Sequence, residues 1–166
     1  MGRLPVVIVA ASALGLMCQA NAAALSKQDA SFVNQAAETN LAEISAGQMA
    51  LGKSPSQAVA QLAQTMVSDH TQSNQQLSQI AGQQGFSLPS EPSAQQRAQA
   101  RHLSGMSGQQ FEQAFARDQV QDHRTAIAAF QKEARSSHDP ALKSFAQQTI
   151  PVLQKHLQMA EAASRS

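Results

Sequence analysis

The chain has a single cysteine, no tryptophan and no tyrosine, and only 14% of its 166 residues are charged. Each shortage removes a class of function. Nucleic-acid binding by counterion release needs a clustered basic face, usually with aromatic stacking platforms, and neither is present. A phosphate-cradling glycine loop is missing, and no serine sits in a nucleophile elbow. Strand signals are also missing, so a sheet is not expected. The polar surface is mainly Gln, Ser and Asn, which makes the chain weakly charged without an acidic tail or a polybasic membrane patch.

The first 22 residues, "MGRLPVVIVAASALGLMCQANA", read as a signal peptide. Arg3 supplies the short positive start, an apolar run extends from Leu4 to Met17, and Ala20-Asn21-Ala22 forms a small-x-small processing site. Cleavage is expected after Ala22, with Ala24 as the alternative. An uncleaved anchor is the competing reading, but the run falls short of the roughly 18–20 residues that a span needs. Cys18 raises a lipoprotein reading, although Gly15-Leu16-Met17 lacks the usual lead-in, so a discarded apolar residue is the simpler account. Processing predicts a periplasmic or secreted protein with no integral span in the mature chain, and leaves association with the envelope or outer membrane open. The mature chain then carries no disulfide or thiolate. Losing Arg3 reduces the 12 basic residues to 11 against 11 acidic ones, for a formal charge of zero.

Helical periodicity fills the rest, and capping chemistry marks the stops. Ser26 and Asp29 open a segment running to about Leu51. Ser54 is expected as the next N-cap, with Pro55 in the first turn and Gln57 completing a capping box. That helix runs to about Gln84. "GFSLPSEPS" at 85–93 is a loop, and a short helix follows at about 94–103. Ser107 with Gln110 starts another helix to about Arg135, and Asp139 with Pro140 starts the last, to about Ala163. Pro151 inside it predicts a kink. The fold expected over 26–164 is an all-α four-helix bundle of two hairpins, 27–52 with 55–84 and 107–136 with 139–164, joined by one crossover carrying the extra helix.

At about 100° per residue, three helices aim one imidazole each at the core. His70 is central in a stripe of Val59, Ala63, Met66, Leu77 and Ala81. His123 lies among Ala116, Val120, Ile127, Phe130 and Ala134, and His156 among Leu142, Phe145, Thr149, Leu153 and Ala160. The first helix offers Phe32, Val33, Ala36, Ile44, Gly47 and Leu51, with Asn40 mid-stripe and Glu43 toward one edge. Asp69 and Asp122 turn about 100° from their neighbouring histidines, toward helix–helix seams or solvent.

The succession "DASFVNQAAETNLAEISAGQMAL", "VAQLAQTMVSDHTQSNQQL", "LSGMSGQQFEQAFARDQVQDHRTAIAAF" and "LKSFAQQTIPVLQKHLQMA" resembles the bacterial family called domain of unknown function 4142, over about 29–163. Members are often labelled as outer-membrane proteins. The resemblance implies a ferritin-like helical bundle in an exported protein and no established activity.

Di-iron chemistry does not fit, because no Glu-x-x-His occurs and Val67, Val120 and Leu153 stand three residues before the histidines. Two classes of function remain. The favoured one is a non-enzymatic exported bundle that binds a partner or protects the envelope under stress, with His70, His123 and His156 as buried structural groups bonded to Asn40, Ser73, Thr149, water or an Asp across a seam. The alternative is a mononuclear site for zinc, copper or iron, or a redox protein, using those histidines and Glu43. Counting along the helices puts Glu43 and His70 roughly 9 Å apart in height, and His123 and His156 roughly 6 Å, which weighs against one cluster. Met49, Met66 and Met159 fit core positions, although a soft copper site would also want them. His102 and His138 fall at helix ends.

Overall fold

The computed structural model describes residues 25–165, so the leader, Arg3 and Cys18 lie outside the described residues. Five helices follow one another: α1 (Lys27–Lys53), α2 (Gln57–Gln83), α3 (Ala94–Ser104), α4 (Gly108–Ser136) and α5 (Pro140–Ala163). α1 pairs with α2 and α4 with α5, and the two hairpins face each other through α2–α5 and α1–α4, with α3 laid against α1 and α4. This is the all-α four-helix bundle with one crossover. No described helix is long and apolar enough to cross a membrane.

Local chemistry explains the helix ends and corrects two of them. The cap of α2 is Ser56, whose hydroxyl accepts from the Val59 N–H, not Ser54. Ser54 ends α1 instead, and its hydroxyl donates to Glu112 of α4 and accepts from the Ser56 N–H, not from the Gln57 N–H that the box requires. Ser107 makes no side-chain capping bond, because Gly108 turns through the left-handed region at φ 53° and the box with Gln110 does not form. Where a box does form, it is at α3, from Ser93 and Gln96. Ser26 and Asp139 cap α1 and α5 as expected. α2 closes on Gly85, at φ 68°, with the Phe86 N–H reaching back to the Ala81 carbonyl in a Schellman turn.

Helix α5 runs through Pro151 as one element. Pro151 lies on the exposed face, as does Gln147, whose carbonyl loses its helical partner and can meet water instead. Leu51, expected on the core stripe, is 46% exposed. Gly47 lets α1 lie close against α2: a Cβ there would stand 2.7 Å from Val67 Cγ2 and 3.0 Å from the Ala63 carbonyl oxygen.

The core is divided. One apolar cluster, built on Val59, Leu62, Met66, Phe111, Phe115 and Ala160, fills the end near the α1–α2 turn. A second, built on Phe32, Val33, Leu77, Phe130, Phe145 and Leu153, fills the other end. Between them every long helix contributes buried polar residues: Asn40 and Glu43 from α1, His70 from α2, Gln119 and His123 from α4, and His156 from α5. A polar waist bisects an otherwise apolar bundle.

Candidate metal centre

The three imidazoles face one another at the waist. Ring centroids are 5.7 Å apart for His70 and His123, 5.3 Å for His70 and His156, and 5.2 Å for His123 and His156. One ring nitrogen from each lies within 4.8 Å of the others. The offset in height expected between His123 and His156 is closed by side-chain direction. Side chains lean toward the amino end of their own helix, and in an antiparallel pair the two leans converge here: His156 leans toward the α4–α5 turn and His123 away from it.

The groups behind each ring fix its tautomer. His70 Nδ1 stands 2.9 Å from Asn40 Oδ1, His123 Nδ1 stands 2.9 Å from the Gln119 main-chain oxygen, and His156 Nε2 stands 2.9 Å from Asp69 Oδ2. All three partners are oxygen acceptors, so each of these nitrogens carries the proton and donates. The lone pairs then reside on His70 Nε2, His123 Nε2 and His156 Nδ1. His70 Nε2 is buried without a hydrogen-bond partner in the protein. His123 Nε2 and His156 Nδ1 approach to 3.2 Å. With those tautomers, that contact sets lone pair against lone pair.

Protonation does not relieve it at neutral pH. Burial, with the other two imidazoles adding like charge, holds His70 well below its ordinary value. Burial together with His156 brings His123 down to about 4. His156 is also lowered by burial, against the opposing pull of Asp69, so its contact with Asp69 is a hydrogen bond from a neutral ring more than an ion pair. The rings are 4%, 1% and 0% exposed, so water does not solvate the opposed lone pairs from outside.

One ring nitrogen from each histidine within 4.8 Å of the others, with an oxygen acceptor beside each ring, is a set that could hold a metal ion. Tetrahedral coordination at 2.0–2.1 Å places neighbouring nitrogens about 3.3 Å apart, close to the His123–His156 contact, and the widest pair reaches that edge if each ring shifts by under about 1 Å. Of the six ring nitrogens, five lie within hydrogen-bond distance of a protein atom, and His70 Nε2 does not.

The other residues singled out divide. Asn40 supports His70, and Asp69 reaches across a seam to the histidine of α5. Asp122 does not do the same: its Oδ2 accepts from Gln99 Nε2 of α3 at 3.1 Å. Glu43 is not among the converging ligands. It stands a turn nearer the α1–α2 loop than Asn40, and lines a cleft beneath α3. Ser73 Oγ is buried without a protein partner, and the Thr149 hydroxyl donates to the Phe145 carbonyl, so neither holds a ring. His102 and His138 are exposed. Met66 is buried, with Met49 and Met159 packed about the same apolar cluster. Gln119 was not anticipated, although its position one turn before His123 is where a carbonyl meets a histidine ring.

A family profile described as Domain of unknown function (DUF4142) matches residues 15–163. No curated protein matches the chain. Among solved structures, the crystal structure of a DUF305 fragment from Deinococcus radiodurans is similar, with a TM-score of 0.75, 19% identity, and coverage of 86% of this chain and 99% of that one. At that identity the likeness shows the helical fold alone.

Proposed function

The chain belongs to the DUF4142 family, whose description carries no activity, and on that footing we propose that it is a non-enzymatic protein holding one transition-metal ion at the bundle waist through His70, His123 and His156. The carrying observation is that one ring nitrogen from each histidine lies within 4.8 Å of the others, while His70 Nδ1, His123 Nδ1 and His156 Nε2 each face an oxygen. A cation exchanges the opposed lone pairs for coordinate bonds. Three neutral imidazoles without thiolate or carboxylate suit zinc or copper best among the common metals. Asn40, the Gln119 carbonyl and Asp69 hold the rings in the required tautomers.

Burial of all three rings supports retention of an ion over turnover of a substrate. The leader read in residues 1–22 supports a periplasmic or secreted setting, where capture of a reactive metal would protect the envelope. The test is calorimetric titration of chelator-treated protein with zinc sulfate and copper sulfate. One ion should bind per chain and raise the melting temperature, and His70→Leu, His123→Leu and His156→Leu should each abolish both effects. Absence of binding in the wild type, or binding that survives in all three variants, contradicts the proposal.

A further inference from the structure

Glu43 and Gln119 belong to the waist but not to the histidine centre, and both line a half-enclosed cleft of about 360 Å³ between α1, α3 and α4. That volume lies at the lower end of small-molecule sites, roughly 300–1000 Å³. Its apolar wall comes from Phe32, Phe130, Leu103 and several alanines. Helix α3 forms a roof, tied down by Gln96 Nε2 to Thr39 Oγ1 at 3.3 Å and by Gln99 Nε2 to Asp122 Oδ2 at 3.1 Å.

The charged lining is of one sign. Glu38, Glu43, Asp118 and Asp122 border the cleft, and no Lys, Arg or His does. Glu43 Oε2 and Gln119 Oε1 are buried acceptors without a hydrogen-bond partner in the protein, on side chains 4% and 2% exposed. Two orphaned acceptors on one acidic wall call for a donor that brings positive charge. Burial, with Asp122 and Asp118 adding like charge, pushes the Glu43 carboxyl up to about 8, although the Gln119 side chain favours its charged form. A proton is thus the cation that this carboxyl holds when nothing else supplies one.

A metal ion suits this wall less well, since these carboxyls do not join a converging group of three ligands. An apolar wall beside a buried acceptor pair suits an organic cation with two ends of different character. We propose that the cleft beneath α3 binds a small amphiphilic amine, its ammonium group donating to Glu43 Oε2 and Gln119 Oε1 and its hydrocarbon body lying along Phe32, Phe130 and Leu103.

Hexylamine, hexan-1-ol and hexanoate separate charge from apolar fit, and each can be titrated into the folded protein calorimetrically at ~0.15 M salt, where surface attraction is largely screened. Hexylamine should bind at least tenfold more tightly than hexan-1-ol, and hexanoate should not bind measurably. Glu43→Gln removes the carboxyl that would give up its proton and become charged opposite a bound ammonium, and should bring amine affinity down to that of the alcohol while zinc still binds at the histidines. Ala100→Trp, on the short roof helix, fills the cleft and should abolish amine binding even if Glu43→Gln fails to fold. Equal affinity for amine and alcohol, no amine binding, or unchanged amine affinity in a folded Glu43→Gln or Ala100→Trp variant overturns the proposal.

Discussion

Two buried polar clusters sit in this bundle, and they are built on opposite terms. At the start of α1, Asp29 receives the Ser26 hydroxyl at 2.7 Å and the Ser137 hydroxyl at 2.9 Å, linking α1 to the turn between α4 and α5. Burial works against the Asp29 charge, but hydrogen bonds from Ser26, Ser137 and Glu133 outweigh it and hold the carboxyl below its ordinary value. Burial and the adjoining Asp29 push Glu133 up to about 7, so one acid of the pair keeps its proton and can donate it to the other. Donors there answer both Asp29 oxygens within the protein, and Glu133 Oε1 alone of that cluster is buried without a hydrogen-bond partner. At the histidine waist, acceptors face acceptors. Hydrogen-bonded buried polarity serves the fold, and at the waist the metal ion proposed above would answer the facing acceptors.

The contrast is broken most forcefully at the balanced cluster. Asp29→Ala removes the acceptor for two hydroxyls and disturbs the α1 cap, and should lower the stability of metal-free protein by about 2–3 kcal/mol in urea denaturation. Asp69→Ala should act on affinity instead. Loss of the group that orients His156 should weaken zinc binding by about 10–100-fold in calorimetry, with little change in metal-free stability because Asp69 is half-buried at a seam.

The pH dependence of metal-free protein sets the two kinds of group against each other. His123 titrates near 4 when folded and near 6.5 when unfolded, so its contribution is complete above 6.5 and lost as the pH falls toward 4. His70 and His156 shift in the same direction. Glu43 and Glu133 are raised from 4.5 to about 8 and about 7, so their contribution is complete below 4.5 and lost as the pH rises through those values. Melting temperature should therefore peak at about pH 6–7 and fall on both sides. A melting temperature that climbs steadily from pH 6 to 9 would contradict the buried acids.

The smallest effect expected sharpens the comparison furthest. His123→Leu in metal-free protein keeps most of the core volume and removes one of two opposed lone pairs. Its urea midpoint should match or exceed that of the wild type, within about 1 kcal/mol, although a buried histidine with a satisfied partner would lose more.

Much of this was legible from residue order, for reasons that differ between elements. The 100° stripes placed His70, His123, His156 and Asn40 in the core because inward direction depends only on helical phase. Convergence depended on more. Helix heights counted from Cα positions ignored the lean of side chains, and so kept His123 and His156 apart. Glu43 does not join the three histidines, and only the packing of α3 over α1 and α4 shows the cleft it lines instead. The two Asp-His pairs look equivalent in sequence, but α5 lies beside Asp69 and α3 beside Asp122, so one supports a ring and the other a roof. The leader and its export role rest on residues 1–24, outside the described residues.

Long-range 1H–15N NMR of the histidine rings in metal-free protein at neutral pH reads directly where the three ring protons sit. The rings should be neutral, with His70 and His123 protonated on Nδ1 and His156 on Nε2, and zinc should shift the three opposite nitrogens together. A proton on His123 Nε2 directed at His156 Nδ1, or a charged ring at that pH, would contradict that arrangement.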